Sequence, residues 1–187
     1  MNLKDIKALQ HRIGAVPDGF WGPKSIAACQ EWLRQRMPKP NPWPASDQAS
    51  LTKFYGRAGD ENKLVALPVA ELGLRYEGKP VKSIRCHAKV AESLKRVLTE
   101  IAQGPAKSVL AQYAGCFNNR PMRGGSLPSL HARGAAVDFD PDSNGNHVSW
   151  PVAATMPIEV MEAFAREGWL SAGAFWGRDA MHFQATR

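Results

Sequence analysis

The chain has 187 residues, of which 44% are hydrophobic and 22% charged, and its formal net charge at pH 7 is +7. This composition is ordinary for a soluble globular protein and excludes wholesale disorder. No apolar run approaches the roughly 18 residues of a membrane-spanning helix, so stable membrane insertion is not expected. The polar, amphipathic N-terminus MNLKDIKALQHRIGAV lacks a continuous apolar stretch, which argues against a secretory signal.

The basic residues are scattered along the chain instead of forming one block. A cationic surface favours polyanions such as nucleic acid, anionic lipid or the acidic polymers of bacterial envelopes. Because no basic stripe with interleaved aromatic residues is present, nucleic-acid binding is not expected as the main function. The three cysteines, Cys29, Cys86 and Cys116, form no CxxC motif and are interpreted as reduced, mostly buried thiols.

Residues 1–37 predict a small all-α helical module. Apolar residues recur at helical spacing on both sides of the turn-prone loop VPDGFWGPKS, and the second helix begins at about Ser25. The stretch LQHRIGAVPDGFWGPKSIAACQEWL resembles small helical peptidoglycan-binding modules, and the likeness covers roughly residues 3–33. The resemblance implies attachment to the cell wall; the alternative is a plain helical hairpin that packs on the main domain.

Residues 38–50 predict a proline-rich linker. Four prolines fall within the seven residues PKPNPWP, and proline excludes both a helix and a central strand. This composition is typical of a semi-rigid spacer. The remaining residues, 51–187, are enough for one compact domain.

Within 51–187 the patterns alternate between helix and strand. A long amphipathic helix is predicted from about His87 to Gln103, stopped by Gly104-Pro105, and another over 157–167. The stretches SVLAQYAGCF, AAVDFD and AMHFQA have strand character. Mixed elements without regular βαβ spacing predict an α+β domain.

Two short motifs contain the residues that suggest metal chemistry. In SLHARGAAVDFD, His131 precedes Asp138, whose strand neighbours Val137 and Phe139 should face the core. In DAMHFQ, His182 should lie on the equivalent polar strand face, with Met181 and Phe183 in the core and Asp179 at the strand entrance. Imidazoles and a carboxylate are suitable zinc ligands, and a further carboxylate could accept a proton from water. Cobalt or manganese would also suit these ligands.

The pattern S-x-H-x-x-G-x-A-x-D followed by acid-x-x-His resembles the zinc D-Ala-D-Ala carboxypeptidase and peptidoglycan endopeptidase family, which includes VanY-type enzymes and many phage endolysins. The likeness spans about residues 50–185. It implies one Zn²⁺ per chain, held by His131, Asp138 and His182, with Asp179 as general base. Relatives often carry glutamate at that position. It further implies two arginines and a serine around the substrate: Arg120 for the oxyanion or the substrate carboxylate, Arg123 as the alternative for that role, and Ser129 as a substrate hydrogen-bonding residue.

The family also implies a fold, an activity and a location. The fold would be a hedgehog/DD-peptidase-like domain with a small antiparallel sheet, and the chain a monomer that hydrolyses peptide bonds of bacterial peptidoglycan. The expected setting is a phage or prophage endolysin, made in the host cytoplasm and acting on the wall after release. The bond could be L-Ala–D-Glu, diaminopimelate–D-Ala or terminal D-Ala–D-Ala. The alternative is a non-catalytic cell-wall-binding relative of the same fold.

Overall fold

The computed structural model describes all 187 residues. Its seven α-helices are α1 (Leu3–Arg12), α2 (Pro23–Arg34), α3 (Gln48–Tyr55), α4 (Ala88–Gln103), α5 (Pro141–Asn144), α6 (Ile158–Arg166) and α7 (Ala172–Trp176). Its eight strands are β1 (Leu64–Pro68), β2 (Arg75–Tyr76), β3 (Lys79–Pro80), β4 (Ser83–His87), β5 (Tyr113–Gly115), β6 (Ala136–Phe139), β7 (Leu170–Ser171) and β8 (His182–Gln184). Helices mixed with small antiparallel sheets confirm the α+β class; the hedgehog-type likeness stays a prediction. None of the helices is both long and apolar enough to cross a membrane.

The largest sheet has four antiparallel strands in the order β5-β6-β8-β7. The alternation predicted for β6 is confirmed, because Val137 and Phe139 are fully buried in the core while Asp138 faces the other side. The register of the β6–β8 pair places Asp138 directly opposite His182. Two residues far apart in the chain are therefore neighbours on one sheet face.

Helix α4 packs against the core as its amphipathic pattern predicts. Its buried stripe includes the predicted residues Val90, Leu94, Val97, Leu98 and Ile101. His87 caps the helix, since its Nδ1 accepts a hydrogen bond of 3.0 Å from the backbone N–H of Lys89. This histidine therefore opens a helix as expected.

The strand predicted over residues 108–117 is mostly wrong. Residues 107–112 form a 3₁₀ helix, and only Tyr113–Gly115 are strand. Val109 and Leu110 are both buried, although a strand would point consecutive side chains to opposite faces. A helical turn buries both, and this packing outweighs their β propensity.

The two N-terminal helices share the core of the rest of the chain. Leu9 and Ile13, at α1, and Cys29 and Leu33 of α2 belong to the same buried cluster as the residues of the main sheet. Residues 38–47 contain neither helix nor strand, as their prolines predict, but α3 begins at 48, inside the predicted linker. Whether residues 1–37 act as a module of their own stays a prediction.

Gly134 fixes the turn that precedes β6. It ends the 3₁₀ helix Leu130–Arg133 with a φ of +65°, and its carbonyl accepts a hydrogen bond of 2.8 Å from the backbone N–H of His87. A Cβ at this position would lie 2.8 Å from that same nitrogen and 2.8 Å from Leu64 Cδ2. The absence of a side chain at Gly134 thus allows the close approach of the β4 backbone.

Replacing Gly134 by alanine is therefore expected to be more damaging than an ordinary glycine substitution. The left-handed backbone costs about 1–2 kcal/mol for an L-residue and the forced contact about 1–3 kcal/mol more. Gly73 is a matched control, because its φ is +76° but nothing lies within 4 Å of a Cβ there. Urea unfolding followed by circular dichroism should show a clearly larger loss for Gly134→Ala than for Gly73→Ala. Equal losses would contradict the steric argument.

Candidate metal centre

Three side chains that could hold a metal converge at the polar face of the four-stranded sheet. Asp138 lies on β6, His182 on β8 and His131 in the 3₁₀ helix before β6. Asp138 Oδ1 is 3.0 Å from His182 Nδ1 and 3.2 Å from His131 Nε2, and the two histidine nitrogens are 3.1 Å apart. The structure thus brings together the three residues that the sequence analysis singled out.

The second nitrogen of each imidazole has its own partner, which fixes the tautomer. His131 Nδ1 lies 2.7 Å from the carbonyl oxygen of Cys116, so Nδ1 must donate and Nε2 carries a lone pair. His182 Nε2 lies 3.1 Å from Gln184 Oε1, whose amide nitrogen donates to Thr186 at 2.6 Å. His182 Nε2 therefore donates as well, and the lone pair on its Nδ1 faces His131 Nε2 and Asp138 Oδ1.

This arrangement requires a cation. Two nitrogen lone pairs and a carboxylate oxygen within about 3 Å of one another repel unless a proton or a metal lies among them. Burial alone would raise the pKa of Asp138, but its contacts with His131 and His182 outweigh burial and hold that pKa well below its usual range. Burial alone would lower the pKa of His182, but its contact with Asp138 outweighs burial and raises that pKa above its ordinary value. Two imidazoles, one carboxylate and fixed second hydrogen bonds fit a divalent metal such as zinc.

Asp179 faces the same cavity and has an unusual environment. Its φ is +58°, and its Oδ1 is buried without any hydrogen-bond partner. Burial raises the pKa of its carboxyl above the ordinary value; Asp138 adds to the rise, while His182 and Arg123 oppose it. A buried carboxylate oxygen left without a donor is costly, which indicates a chemical use for it rather than a structural one.

The cavity in front of these residues measures about 240 Å³. Arg120, Arg123 and Ser129 line it, so all of the sequence-predicted site residues border one space. Ser129 also has a structural part, because its Oγ accepts a hydrogen bond of 3.3 Å from the His131 N–H and caps the 3₁₀ helix.

Arg178 adds a third guanidinium to the cavity and was not found from the sequence. Trp176 also lines the cavity and stacks on His182, with ring centroids 5.8 Å apart. Trp169 is fully buried and donates to Ser93 Oγ at 2.9 Å, which makes it a core residue.

Met181 is buried, as expected, and its side chain also lines the cavity. It lies just before β8, which begins at His182. His147 lies at the surface with an exposed side chain, away from the candidate ligands. The three cysteines are free and buried, as expected, and burial raises the pKa of the Cys86 thiol to about 12.

Comparison with known proteins gives one finding. A family model described as D-alanyl-D-alanine carboxypeptidase matches residues 123–185. The matched segment contains His131, Asp138, Asp179 and His182, whereas Arg120 and the N-terminal helices lie outside it. No curated protein and no solved structure matches the chain. The match covers 63 of the 187 residues and is a likeness to a peptidase family over this segment.

Proposed function

We propose that the chain is a zinc-dependent peptidase that hydrolyses a peptide bond of bacterial peptidoglycan. The observation that supports this most directly is the convergence of His131, Asp138 and His182 in one cavity with the unpartnered oxygen of Asp179. The description of the matching family and the net charge of +7, which favours an anionic wall, agree with it.

In this proposal the ligands are His131 Nε2, Asp138 Oδ1 and His182 Nδ1, the three atoms whose lone pairs meet. Zinc bound there would supply Lewis acidity, which polarises a peptide carbonyl and lowers the pKa of a water molecule. The Cys116 carbonyl and the Gln184 side chain orient the two imidazoles, so their lone pairs are held in place before any metal binds.

Asp179 is the proposed general base. Its free Oδ1 is able to accept a proton from water and to return it to the leaving amine. Arg120 or Arg123 would stabilise the developing oxyanion or bind a substrate carboxylate, since a guanidinium suits both. Ser129 would hydrogen-bond the substrate next to the proposed ligand His131.

The proposed setting is a phage or prophage endolysin, in which residues 1–37 hold the enzyme on the wall. Val16 and Phe20 support a binding surface there, because both side chains are largely exposed and line a cavity of about 630 Å³ formed by the loop between α1 and α2 and by the start of α2. Exposed apolar side chains next to a cavity are typical of ligand contacts.

The alternative is a non-catalytic relative that only binds the wall. The environment of Asp179 favours catalysis over this alternative, because a binding module gains nothing from a buried carboxylate oxygen without a donor.

The experiment incubates the purified protein with defined peptidoglycan fragments, with and without a chelator, and identifies new termini by mass spectrometry. We expect cleavage that the chelator abolishes and added zinc restores, and the new termini will identify the bond as L-Ala–D-Glu, diaminopimelate–D-Ala or D-Ala–D-Ala. Zinc-loaded protein that binds sacculi but cuts none of the fragments would support the non-catalytic alternative instead.

A further inference from the structure

A second cavity lies beside the candidate metal centre and has a different chemical character. It measures about 560 Å³ and shares Arg120 with the first cavity. Arg57 and Arg133 also line it, and its other lining residues are neutral: Gln48, Thr52, Ala58, Asn119, Pro121, Ser126, Leu127 and Pro128. Three guanidinium groups therefore border this cavity without a carboxylate among its walls.

None of these three arginines takes part in an ion pair; the arginine ion pairs of the chain involve Arg12, Arg36, Arg85, Arg96 and Arg166. The positive charge at the cavity is therefore not neutralised within the protein. A cluster of like charges costs free energy unless an anion joins it.

Arg133 is the most unusual of the three, since only 4% of its surface is exposed. Its Nε donates to the Gly56 carbonyl at 3.2 Å, and its Nη2 donates to Gln48 Oε1 and Thr52 Oγ1 at 3.1 Å each. All of these acceptors are neutral, and Nη1 is buried without any partner. Guanidinium groups this deeply buried are rare unless a negative charge compensates them.

The position of Arg133 connects the second cavity to the metal centre. It lies on the same 3₁₀ helix as His131, two residues further along the chain. A bound chain whose reacting bond lies at the first cavity would therefore pass Arg120 and reach the second one. An anionic group some residues away from the reacting bond would meet Arg57 and the charge of Arg133 beneath it.

From this we infer that the second cavity is a subsite for a carboxylate of the substrate, separate from the reacting bond, with Arg57 and Arg120 at the rim and Arg133 at the base. The inference rests on the proposed function and narrows its substrate class to acidic peptides with a second carboxylate. Peptidoglycan stem peptides carry such groups on D-Glu and diaminopimelate.

The test is a binding measurement that does not depend on turnover. The probe is the tetrapeptide L-Ala-γ-D-Glu-diaminopimelate-D-Ala, either with free side carboxylates or amidated at D-Glu or at diaminopimelate. Isothermal titration of the zinc-loaded full chain carrying Asp179→Asn, which lacks the proposed general base and so should not cleave the probe, should show that one of the two amidations weakens binding about tenfold or more, as expected for loss of a charge-assisted contact. Arg57→Ala should weaken binding of the free peptide by a similar factor and remove most of the discrimination between free and amidated peptides.

Arg57 is the residue to change because it is exposed and its side chain makes no hydrogen bond, so the variant is expected to fold. Lys107→Ala, which removes an exposed charge elsewhere, should leave the discrimination intact, and Arg57→Lys should retain part of it. Equal affinities for free and amidated peptides, or discrimination that survives Arg57→Ala, would overturn the inference. Chelator-sensitive cleavage of the same peptides by wild type reports on the proposed function separately, and it would stand even if the carboxylate subsite failed.

Discussion

Replacing Asp179 by asparagine is expected to lower kcat on a peptidoglycan fragment by about 10²–10⁴-fold, the usual contribution of a general base. Asparagine keeps the size of the side chain and tolerates the left-handed backbone that this position requires, where φ is +58°. Since Asp179 is not one of the three converging ligand groups, zinc affinity should change little. Steady-state kinetics and a competitive zinc titration measure the two effects independently.

The matched variant is His182→Ala, which removes one of the converging donors. It is expected to weaken zinc binding by more than about a hundredfold and to abolish cleavage at limiting zinc. Gln184→Leu should have an intermediate effect on zinc affinity, about 10–100-fold, because the imidazole of His182 loses the acceptor that orients it. If Asp179→Asn instead lost zinc as severely as His182→Ala, Asp179 would be a ligand and the proposed division of roles would be wrong.

Much of this site could be predicted from the sequence, because part of its geometry depends only on neighbouring residues in the chain. Alternation along two short strands placed Asp138 and His182 on polar faces, and the register of β6 and β8 makes those faces one. The position of His131 could not be obtained in this way, since it lies in a 3₁₀ helix whose orientation depends on packing against β4. Its closeness to Asp138 along the chain suggested metal chemistry, and the family resemblance implied its role as a ligand.

What sequence reasoning missed depends on contacts between distant parts of the chain. The backbone carbonyl of Cys116 orients His131, which lies fifteen positions later in the chain. Every residue has such a carbonyl, so the sequence does not indicate which one accepts this hydrogen bond. Arg57 and Arg133 are separated by more than seventy positions, so their shared cavity leaves no local pattern. The failed strand at 108–117 has the same origin, because burial of both Val109 and Leu110 is decided by the surrounding core.

The N-terminal helices are attached to the remainder of the chain through a buried acid. Glu162 of α6 is 5% exposed and accepts hydrogen bonds from Arg12 Nη2 at 2.7 Å and from Trp32 Nε1 at 2.6 Å. Helix α2 also reaches α7, where Gln30 Nε2 donates to the Ala174 carbonyl at 3.3 Å. Since α7 ends at Trp176, which stacks on His182, the N-terminal helices support one wall of the candidate site.

Removing residues 1–37 is therefore expected to destabilise the whole chain and not only to weaken wall retention. The deletion uncovers the core around Leu9, Ile13 and Leu33, and each of these side chains contributes about 1.5–3 kcal/mol on burial. The sum is comparable with the roughly 5–15 kcal/mol that stabilises a typical domain. Thermal unfolding should show a large loss of cooperativity, and cleavage of a small soluble peptide should fall as well. A truncated chain with unchanged unfolding and unchanged peptidase activity would mean that the helices are only a targeting module.

Point substitutions separate the two roles that the deletion confounds. Glu162→Ala leaves Arg12 and Trp32 without their acceptor and is expected to lower the free energy of unfolding by about 2–4 kcal/mol. Glu61→Ala, which breaks the exposed ion pair with Arg85, should cost less than about 1 kcal/mol. Phe20→Ala removes an exposed side chain, so it should leave stability nearly unchanged while weakening retention on purified sacculi. Undiminished retention of a folded Phe20→Ala protein would count against the proposed wall-binding surface. Destabilisation by Glu162→Ala but not by Phe20→Ala would show that the contact with the helices stabilises the rest of the chain.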